Sequence, residues 1–245
     1  MSINEQAFTR TLTKVFGMNG MGGLLSKEST EKLLSLTERL IEENEKYNLT
    51  AITEPDKVIL HHYADCATLC ARLPKGASVI DVGCGAGFPS LPLAILRPDL
   101  KITALDSTAK RVNYVRESAE LLGLSGITAV VGRAEEFGQD QKYRESFDFA
   151  TARAVAEMRI LAELCLPFVK VGGKFIAMKG KNAEFELQTA KRALAMLGAR
   201  GTKSEQITLK DGTEELSHPL IIVEKKERTP AQYPRAYAQI SKKPL

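Results

Sequence analysis

A short apolar segment that ends in an acid and then in alternating glycines constrains the fold of this chain more than any other feature. Residues 77–82 include Val79, Ile80 and Val82, whose branched side chains suit a strand buried on both faces. The segment is too short for a core helix, and residues 83–87 then hold three glycines. We therefore predict the first strand of a parallel sheet, followed by a glycine turn.

The glycine turn predicts a place where a ligand can lie against the main chain. Gly83, Gly85 and Gly87 allow positive φ angles and place no Cβ atom beside the backbone. An apolar helix is predicted over residues 91–96, and Pro98 ends it. The unit is thus strand, turn and helix, with free amide groups at the helix start.

Two ligand classes use such a turn, and the neighbouring residues separate them. The dinucleotide fingerprint needs a small third residue, but Phe88 occupies that position here. Asp81 precedes the turn, and its carboxylate would repel a pyrophosphate but can balance the cationic sulfonium and ammonium of S-adenosylmethionine. The pattern resembles motif I of the S-adenosylmethionine-dependent methyltransferases, with an ordinary strand-to-helix connection as the alternative.

The next predicted strand, residues 101–106, ends in a second acid, Asp106. A carboxylate at the carboxyl edge of the sheet can accept two hydrogen bonds from the vicinal hydroxyls of a ribose. We therefore predict that Asp106 binds the cofactor. It can also cap the helix that begins near Thr108, and the two roles are compatible.

The composition limits the classes of protein to which this chain can belong. The net charge of +4 and the pI near 8.8 lean towards a polyanionic partner. No apolar run approaches the roughly 20 residues of a membrane span and no signal peptide is evident, so we expect a cytoplasmic protein. The four cysteines and three histidines show no metal-ligand spacing. We expect free thiols, no bound metal and a monomer.

Three regions are predicted along the chain. Residues 1–74 form an N-terminal helical cap, residues 75–226 the cofactor-binding domain, and residues 227–245 a basic C-terminal tail. Apolar spacing predicts the helices of the cap and the later strands. The predicted cap helices cover residues 3–17, 26–46 and the region from Pro55 past Asp65; the later strands cover 127–131, 147–151, 174–178, about 205–209 and about 219–225, with a helix near 182–198.

Short motifs occur in a fixed order along nearly the whole chain. They are Asn48-Leu49-Thr50-Ala51-Ile52, His62-x-x-Asp65, Asp81 through Pro89, Asp106-Ser107 with Lys110-Arg111, Arg133-Ala134-Glu135, Arg153-Ala154, Lys179-Gly180, Thr229-Pro230, Tyr233-Pro234-Arg235 and Lys243-Pro244-Leu245. Their order and spacing resemble the RsmG (GidB) family, bacterial methyltransferases that modify N7 of a guanine in 16S ribosomal RNA. Departures from the family are Cys84 and Cys66, where it usually has serine, and Ser90, where it usually has glycine.

The resemblance implies an α/β fold of the class I, Rossmann-like methyltransferase type: a seven-stranded, mostly parallel sheet with an N-terminal helical cap. It also implies S-adenosyl-L-methionine as cofactor and 16S ribosomal RNA, or a precursor of the small subunit, as partner. Together with the residue-based reading, it gives seven cofactor-binding candidates. They are Gly83, Gly85, Phe88, Asp106, Ala134, Glu135 and Arg153.

RNA contact needs positive charge and stacking surfaces. Residues 224–245 hold six basic side chains against two acidic ones, interleaved with Tyr233 and Tyr237. Such charge in a tail can also be plain solvation, and the family resemblance favours RNA. The predicted RNA-binding residues are Lys179, Arg228, Tyr233, Arg235, Lys242 and Lys243.

The predicted acceptor decides the expected mechanism. Guanine N7 carries an in-plane lone pair and no proton, so attack on the sulfonium methyl needs no general base, and we predict no acid–base residue. Methylation of a small molecule or a protein, and a cofactor sensor without catalysis, remain as alternatives on the same fold. A nicotinamide oxidoreductase is disfavoured by Phe88 and Asp81.

Overall fold

The computed structural model describes residues 3–245, which contain one sheet of seven strands flanked by helices. The spatial order is β3-β2-β1-β4-β5-β7-β6, with β1 to β5 parallel and the β6–β7 hairpin antiparallel. The predicted seven-stranded, mostly parallel sheet is confirmed. The strands are β1 Ser78–Val82, β2 Lys101–Asp106, β3 Ile127–Val131, β4 Phe147–Arg153, β5 Val169–Met178, β6 Ala199–Lys210 and β7 Glu215–Lys225.

The helices alternate with the strands after an all-helical N-terminal region. None of the helices described has the length and apolar character needed to span a bilayer. Their bounds are α1 Glu5–Met18, α2 Lys27–Tyr47, α3 Pro55–Val58, α4 Asp65–Ala67, α5 Ser90–Leu96, α6 Ala109–Leu121, α7 Ala134–Phe137, α8 Met158–Cys165, α9 Ala183–Met196 and α10 Tyr237–Lys242; a π-helical segment, Ile59–Ala64, joins α3 to α4.

The N-terminal helices cover one face of the sheet and share its hydrophobic core. Ser26 caps α2 in a reciprocal capping box with Ser29, as the sequence predicted for the start of this helix. The apolar stripes of α1 and α2 are buried, and each buried leucine contributes about 2 kcal/mol to folding. The stripes consist of Phe8, Leu12, Val15 and Phe16 in α1, and of Leu33, Leu36 and Leu40 in α2.

Three of the strands, β5, β6 and β7, extend well beyond the predicted segments. Gly172 and Gly173, which precede the predicted segment, lie inside β5. A Cβ on Gly173 would stand 2.5 Å from the Asp148 carbonyl oxygen, so only glycine allows this close approach of the two backbones. The outer residues of the β6–β7 hairpin are mostly exposed and show no alternation of apolar and polar side chains. Backbone hydrogen bonds between the two strands, rather than burial of side chains, therefore hold these residues in the sheet.

The strand order creates a switch point between β1 and β4. From β1 the chain moves outward through β2 to β3, then returns to the other side for β4 and β5. Loops that leave the carboxyl ends of β1 and β4 therefore diverge and open a crevice. Because β7 is antiparallel to β5, with Met178 paired to Leu220, its end at Lys225 lies at the opposite edge of the sheet.

Residues 226–245, called the C-terminal segment below, return from that opposite edge along the second face of the sheet. The Gln139 amide donates to the carbonyl oxygen of Pro234 at 2.9 Å. Arg235 bonds Glu163 of α8, and the side chain of Ile240 is buried. The segment therefore packs against α7 and α8, and it ends near the carboxyl ends of the parallel strands.

Candidate cofactor site

A crevice of about 410 Å³ lies where β1 to β4 end at the carboxyl edge of the sheet. Its size is within the range of roughly 300–1,000 Å³ that is typical of small-molecule sites. The residues that line it come from each of these strand ends and from α6, α7, α8 and α10. Those used below are Gly83, Asp106, Arg111, Ala134, Val155 and Tyr237.

A larger cavity of about 580 Å³ lies between β6 and the N-terminal helices. Arg72 is its charged lining residue, and the guanidinium is already bonded to Glu205 and to the carbonyl oxygen of Thr68. This cavity is lined by no strand end of the parallel sheet. We therefore place the candidate cofactor site in the crevice, where charged and backbone groups converge.

The glycine turn adopts the predicted backbone. Gly83, Gly85 and Gly87 have φ angles of +75°, +53° and +82°. A Cβ on Gly87 would approach Leu91 to 2.5 Å, so this glycine lets α5 pack closely on the turn. A Cβ on Gly83 would meet Val155 at 2.8 Å, which places Gly83 under the loop after β4. Gly83 thus presents bare main chain to the crevice.

Asp106 organises the turn and faces the crevice at the same time. Its Oδ1 accepts from the amide of Thr108 at 2.8 Å, and its Oδ2 from the amide of Gly85 at 3.0 Å. The Arg111 guanidinium lies 3.7 Å from Oδ2. An ionised carboxylate offers about four lone-pair sites, so Asp106 retains sites for the hydroxyls of a ribose.

The loop after β3 closes the far end of the crevice. Ala134 lines it at the first turn of α7, whereas the Glu135 carboxylate is turned aside and accepts from Arg133 Nε at 2.5 Å. The Arg133 guanidinium lies 5.2 Å from the ring centre of Tyr237, which also lines the crevice. Sequence reasoning missed this position for Tyr237, since no local spacing connects α10 to the ends of β2 and β3.

Asp81 does not line the crevice, contrary to its expected position beside the sulfonium. Side chains alternate along β1, so Val82 reaches the crevice while Asp81 points to the other face. There its carboxylate, 1% exposed, accepts hydrogen bonds from the hydroxyls of Ser90 and Thr151. Burial raises the pKa of Asp81 to about 6, although the Ser90 hydrogen bond acts in the opposite direction.

Phe88 and Arg153 were also predicted to touch the cofactor, and the structure places both outside the crevice lining. Phe88 is 5% exposed and stacks on His62 with ring centres 4.3 Å apart. The Arg153 guanidinium lies 5.2 Å from the Phe88 ring centre and donates to Asp65 Oδ2 at 3.1 Å. Arg153 is held there because the Asp65 carboxylate, buried between the cap and the sheet, requires a cationic partner.

Asp65 has a second basic partner in His218 of β7, whose Nε2 lies 2.7 Å from Oδ1. Burial of the His218 ring opposes its protonation, but the hydrogen bond and charge of Asp65 outweigh burial and raise the pKa of His218. The cluster of Asp65, Arg153 and His218 therefore joins the N-terminal helices, β4 and β7 beside the crevice. Local spacing in the sequence could not reveal this partnership.

The neutral ring of His62, which bonds Arg153 of this cluster, makes the stability of the folded protein depend on pH. Burial and the nearby Arg153 charge lower the pKa of His62 to about 3 in the folded protein, against about 6.5 in an unfolded chain. The unfolded state therefore binds more protons between these values, and stability falls as the pH drops below 6.5. We expect His62 to account for a loss of about 2 kcal/mol between pH 7 and pH 5.

Urea unfolding of the wild type and of His62→Gln at the two pH values measures this contribution. Glutamine keeps polar atoms near Thr50 and Arg153, which bond the two ring nitrogens at 3.1 Å each. The raised pKa of Asp81 stabilises the folded state as the pH falls, but it is common to both proteins and cancels. An identical pH dependence in the two proteins would contradict the assignment.

The predicted RNA-binding residues divide into two groups. Three of them are occupied within the protein: Lys179 bonds Glu186 at 2.6 Å, Tyr233 is 7% exposed, and Arg235 bonds Glu163 at 2.6 Å. Tyr233 is too buried to stack on a base, which corrects that prediction. The other three, Arg228, Lys242 and Lys243, are exposed, and Arg228 follows β7 at the edge opposite the crevice.

Comparisons with known proteins agree with this geometry. The family model "GidB: rRNA small subunit methyltransferase G" matches residues 29–215. The "Ribosomal RNA small subunit methyltransferase G" of Lactobacillus delbrueckii subsp. bulgaricus is 44% identical over 247 residues, covering 99% of this chain and 100% of that protein. The protein of the same name from Leuconostoc mesenteroides is 46% identical, covering 93% and 96%.

Solved structures share the fold at low identity. A SAM-dependent O-methyltransferase from Thermotoga maritima aligns with a TM-score of 0.52 at 17% identity, covering 77% of this chain and 72% of that one. M. jannaschii TYW2, solved in complex with AdoMet, aligns with a TM-score of 0.52 at 15% identity, covering 65% and 73%.

The fold is that of the class I methyltransferases, and the family match and the curated relatives show that the chain is a methyltransferase. The family match over most of the chain and the identities above then identify the group within that class. The chain belongs to the GidB family, the ribosomal RNA small subunit methyltransferases G.

Proposed function

We propose that this chain transfers the methyl group of S-adenosylmethionine to N7 of a guanine in 16S ribosomal RNA. The observation that carries the proposal is the convergence of the glycine turn and the Asp106 carboxylate on one crevice, in a chain of this family. A substrate of this kind implies a cytoplasmic enzyme.

The ionisable groups of the crevice favour an acceptor without a proton. Among residues 3–245, those that line it are Asp106, Arg111, Arg133 and Tyr237. Asp106 already accepts two amide hydrogen bonds, and the two arginines are permanently cationic. The lining thus offers no imidazole and no uncommitted carboxylate as a general base, which suits guanine N7.

The chain's own work is then positioning and exclusion of water. S-adenosylmethionine supplies the activated methyl group on its sulfonium. Gly83 permits close approach of the main chain. Gly85, which does not line the crevice, donates its amide to Asp106, and Asp106 would orient the ribose through its remaining lone pairs. Val155, in the loop after β4, lies against Gly83 at this end of the crevice.

Positive charge on the rim of the crevice suits an RNA partner. Arg111 and Arg133 are about half exposed there, with side-chain values of 51% and 47%. Of the residues predicted from the sequence, Lys242 ends the helix that carries Tyr237, and Lys243 follows it directly. We infer that these four side chains contact phosphates, so RNA affinity should fall steeply with salt concentration.

Methyl transfer from labelled S-adenosylmethionine to small ribosomal subunits that lack the modification tests the proposal. We expect label in 16S ribosomal RNA at a single guanine, mapped by chemical cleavage at N7-methylguanine. Parallel reactions with naked 16S RNA and with assembled subunits distinguish the two substrate forms. Label in protein, at another base atom, or nowhere would contradict the proposal.

A further inference from the structure

We propose that Tyr237, in the C-terminal segment, is a cofactor-binding residue on which the adenine of S-adenosylmethionine stacks. This inference rests on the proposed function, because it takes that cofactor as the ligand of the crevice. The sequence alone grouped Tyr237 with the basic tail and RNA; its place in the lining of the crevice assigns it to the cofactor.

The order of strands gives the crevice a direction. Val155 and Gly83 lie at the β4 and β1 end, Asp106 lies at the end of β2, and Ala134 follows β3, with the Tyr237 ring beside the neighbouring Arg133. The ribose of S-adenosylmethionine joins the adenine to the sulfonium arm. A ribose held by Asp106 therefore sends the adenine to one side and the sulfonium to the other.

The two ends differ in chemistry. The β1 end offers bare backbone at Gly83 next to the switch point, where ligands of open α/β sheets bind. The β3 end offers an aromatic ring and the small side chain of Ala134, which leave room for a planar base. The adenine therefore belongs at the β3 end, against Tyr237.

The backbone on both sides of Tyr237 is anchored within the protein. Two residues earlier, Arg235 makes three hydrogen bonds of 2.6–2.9 Å to the carboxylate of Glu163, from its backbone amide, Nε and a terminal guanidinium nitrogen. Ile240 is fully buried, and Arg133 contacts the Tyr237 ring at 5.2 Å. A pre-positioned aromatic side chain loses little conformational freedom on binding, so its stacking adds to affinity.

Replacement of the ring tests the stacking directly. We expect Tyr237→Ala to weaken binding of S-adenosylmethionine and of S-adenosylhomocysteine about tenfold in calorimetry, and Tyr237→Phe, which retains the ring, to restore most of that loss. Tyr47→Ala is the matched control, because Tyr47 is 42% exposed against 39% for Tyr237 and also contacts a cation, Lys110. Equal affinities in Tyr237→Ala and Tyr47→Ala would overturn the inference.

The absence of tryptophan from the sequence provides a second readout, which separates stacking from folding. Tyr237→Trp carries a single tryptophan, and its emission should be quenched by S-adenosylhomocysteine and by adenosine, and left unchanged by methionine. Tyr47→Trp should respond to none of them. Quenching by methionine alone would reverse the orientation of the ligand and refute the proposal.

The two proposals fail in different ways. A wild-type chain that binds S-adenosylmethionine, with a Tyr237→Ala variant of unchanged affinity, would refute only the stacking role. A wild-type chain that binds no S-adenosylmethionine would refute both.

Discussion

Gly83→Val should weaken S-adenosylmethionine binding by on the order of 100-fold or more, since it blocks backbone approach to the ligand. Gly83 has a φ angle of +75°, which valine tolerates poorly, and its Cβ would stand 2.8 Å from a methyl group of Val155. The new side chain would occupy the crevice and displace the loop after β4. Calorimetric titration with S-adenosylmethionine measures the effect.

Gly76→Val separates backbone strain from occlusion of the crevice. Gly76 has nearly the same φ angle, +72°, but a Cβ there has no neighbour within 4 Å. Both variants should lose about 1–3 kcal/mol of stability from the strained backbone, which urea unfolding would measure. Only Gly83→Val should lose the cofactor. Comparable loss of affinity in Gly76→Val would show that strain alone explains the result.

The central part of the site was predictable because its geometry is local. A strand, a glycine turn and a helix are contiguous in sequence, so the spacing of Gly83, Gly85 and Gly87 predicts their backbone without knowledge of the rest of the fold. The end of the next parallel strand lies beside that turn, which brings Asp106 to Gly85. Both predictions required only the regular alternation of strands and helices.

Two residues that the sequence did not place correctly, Tyr237 and Arg153, depend on contacts between distant segments. Tyr237 reaches the crevice only because the C-terminal segment crosses from one edge of the sheet to the other. Arg153 turns away from the crevice because Asp65, from the N-terminal helices, takes its guanidinium. Periodicity along the chain contains no information on such partnerships.

For the same reason, the count of basic residues in the C-terminal region does not show which of them are exposed. Lys225, which contributed to the predicted basic patch, is fully buried and pairs with Glu145 at 2.9 Å. Burial lowers the pKa of Lys225 to about 8, although Glu145 acts in the opposite direction. A basic residue is thus available to contact RNA only when it forms no ion pair with a carboxylate inside the fold.

Arg235→Ala tests this distinction, because the sequence places Arg235 in the RNA-binding set and the structure places it in an ion pair. The Glu163 carboxylate is fully buried and would keep only the backbone amide of residue 235 as a partner. Removal of one partner of a buried pair leaves an uncompensated charge. We expect a loss of about 3 kcal/mol in the free energy of unfolding and a Tm lower by roughly 10 °C.

Arg228→Ala is the matched control within the same segment. Its side chain is 88% exposed and lies 3.9 Å from Glu145, so its removal should change stability by less than about 0.5 kcal/mol. The double variant Arg235→Met/Glu163→Leu removes both buried charges and should recover most of the stability lost in Arg235→Ala. If Arg235→Ala instead weakened RNA binding and left stability unchanged, Arg235 would be an RNA contact, as the sequence suggested. Removal of an arginine that contacts only RNA leaves no buried carboxylate without a partner, and so does not change the free energy of unfolding.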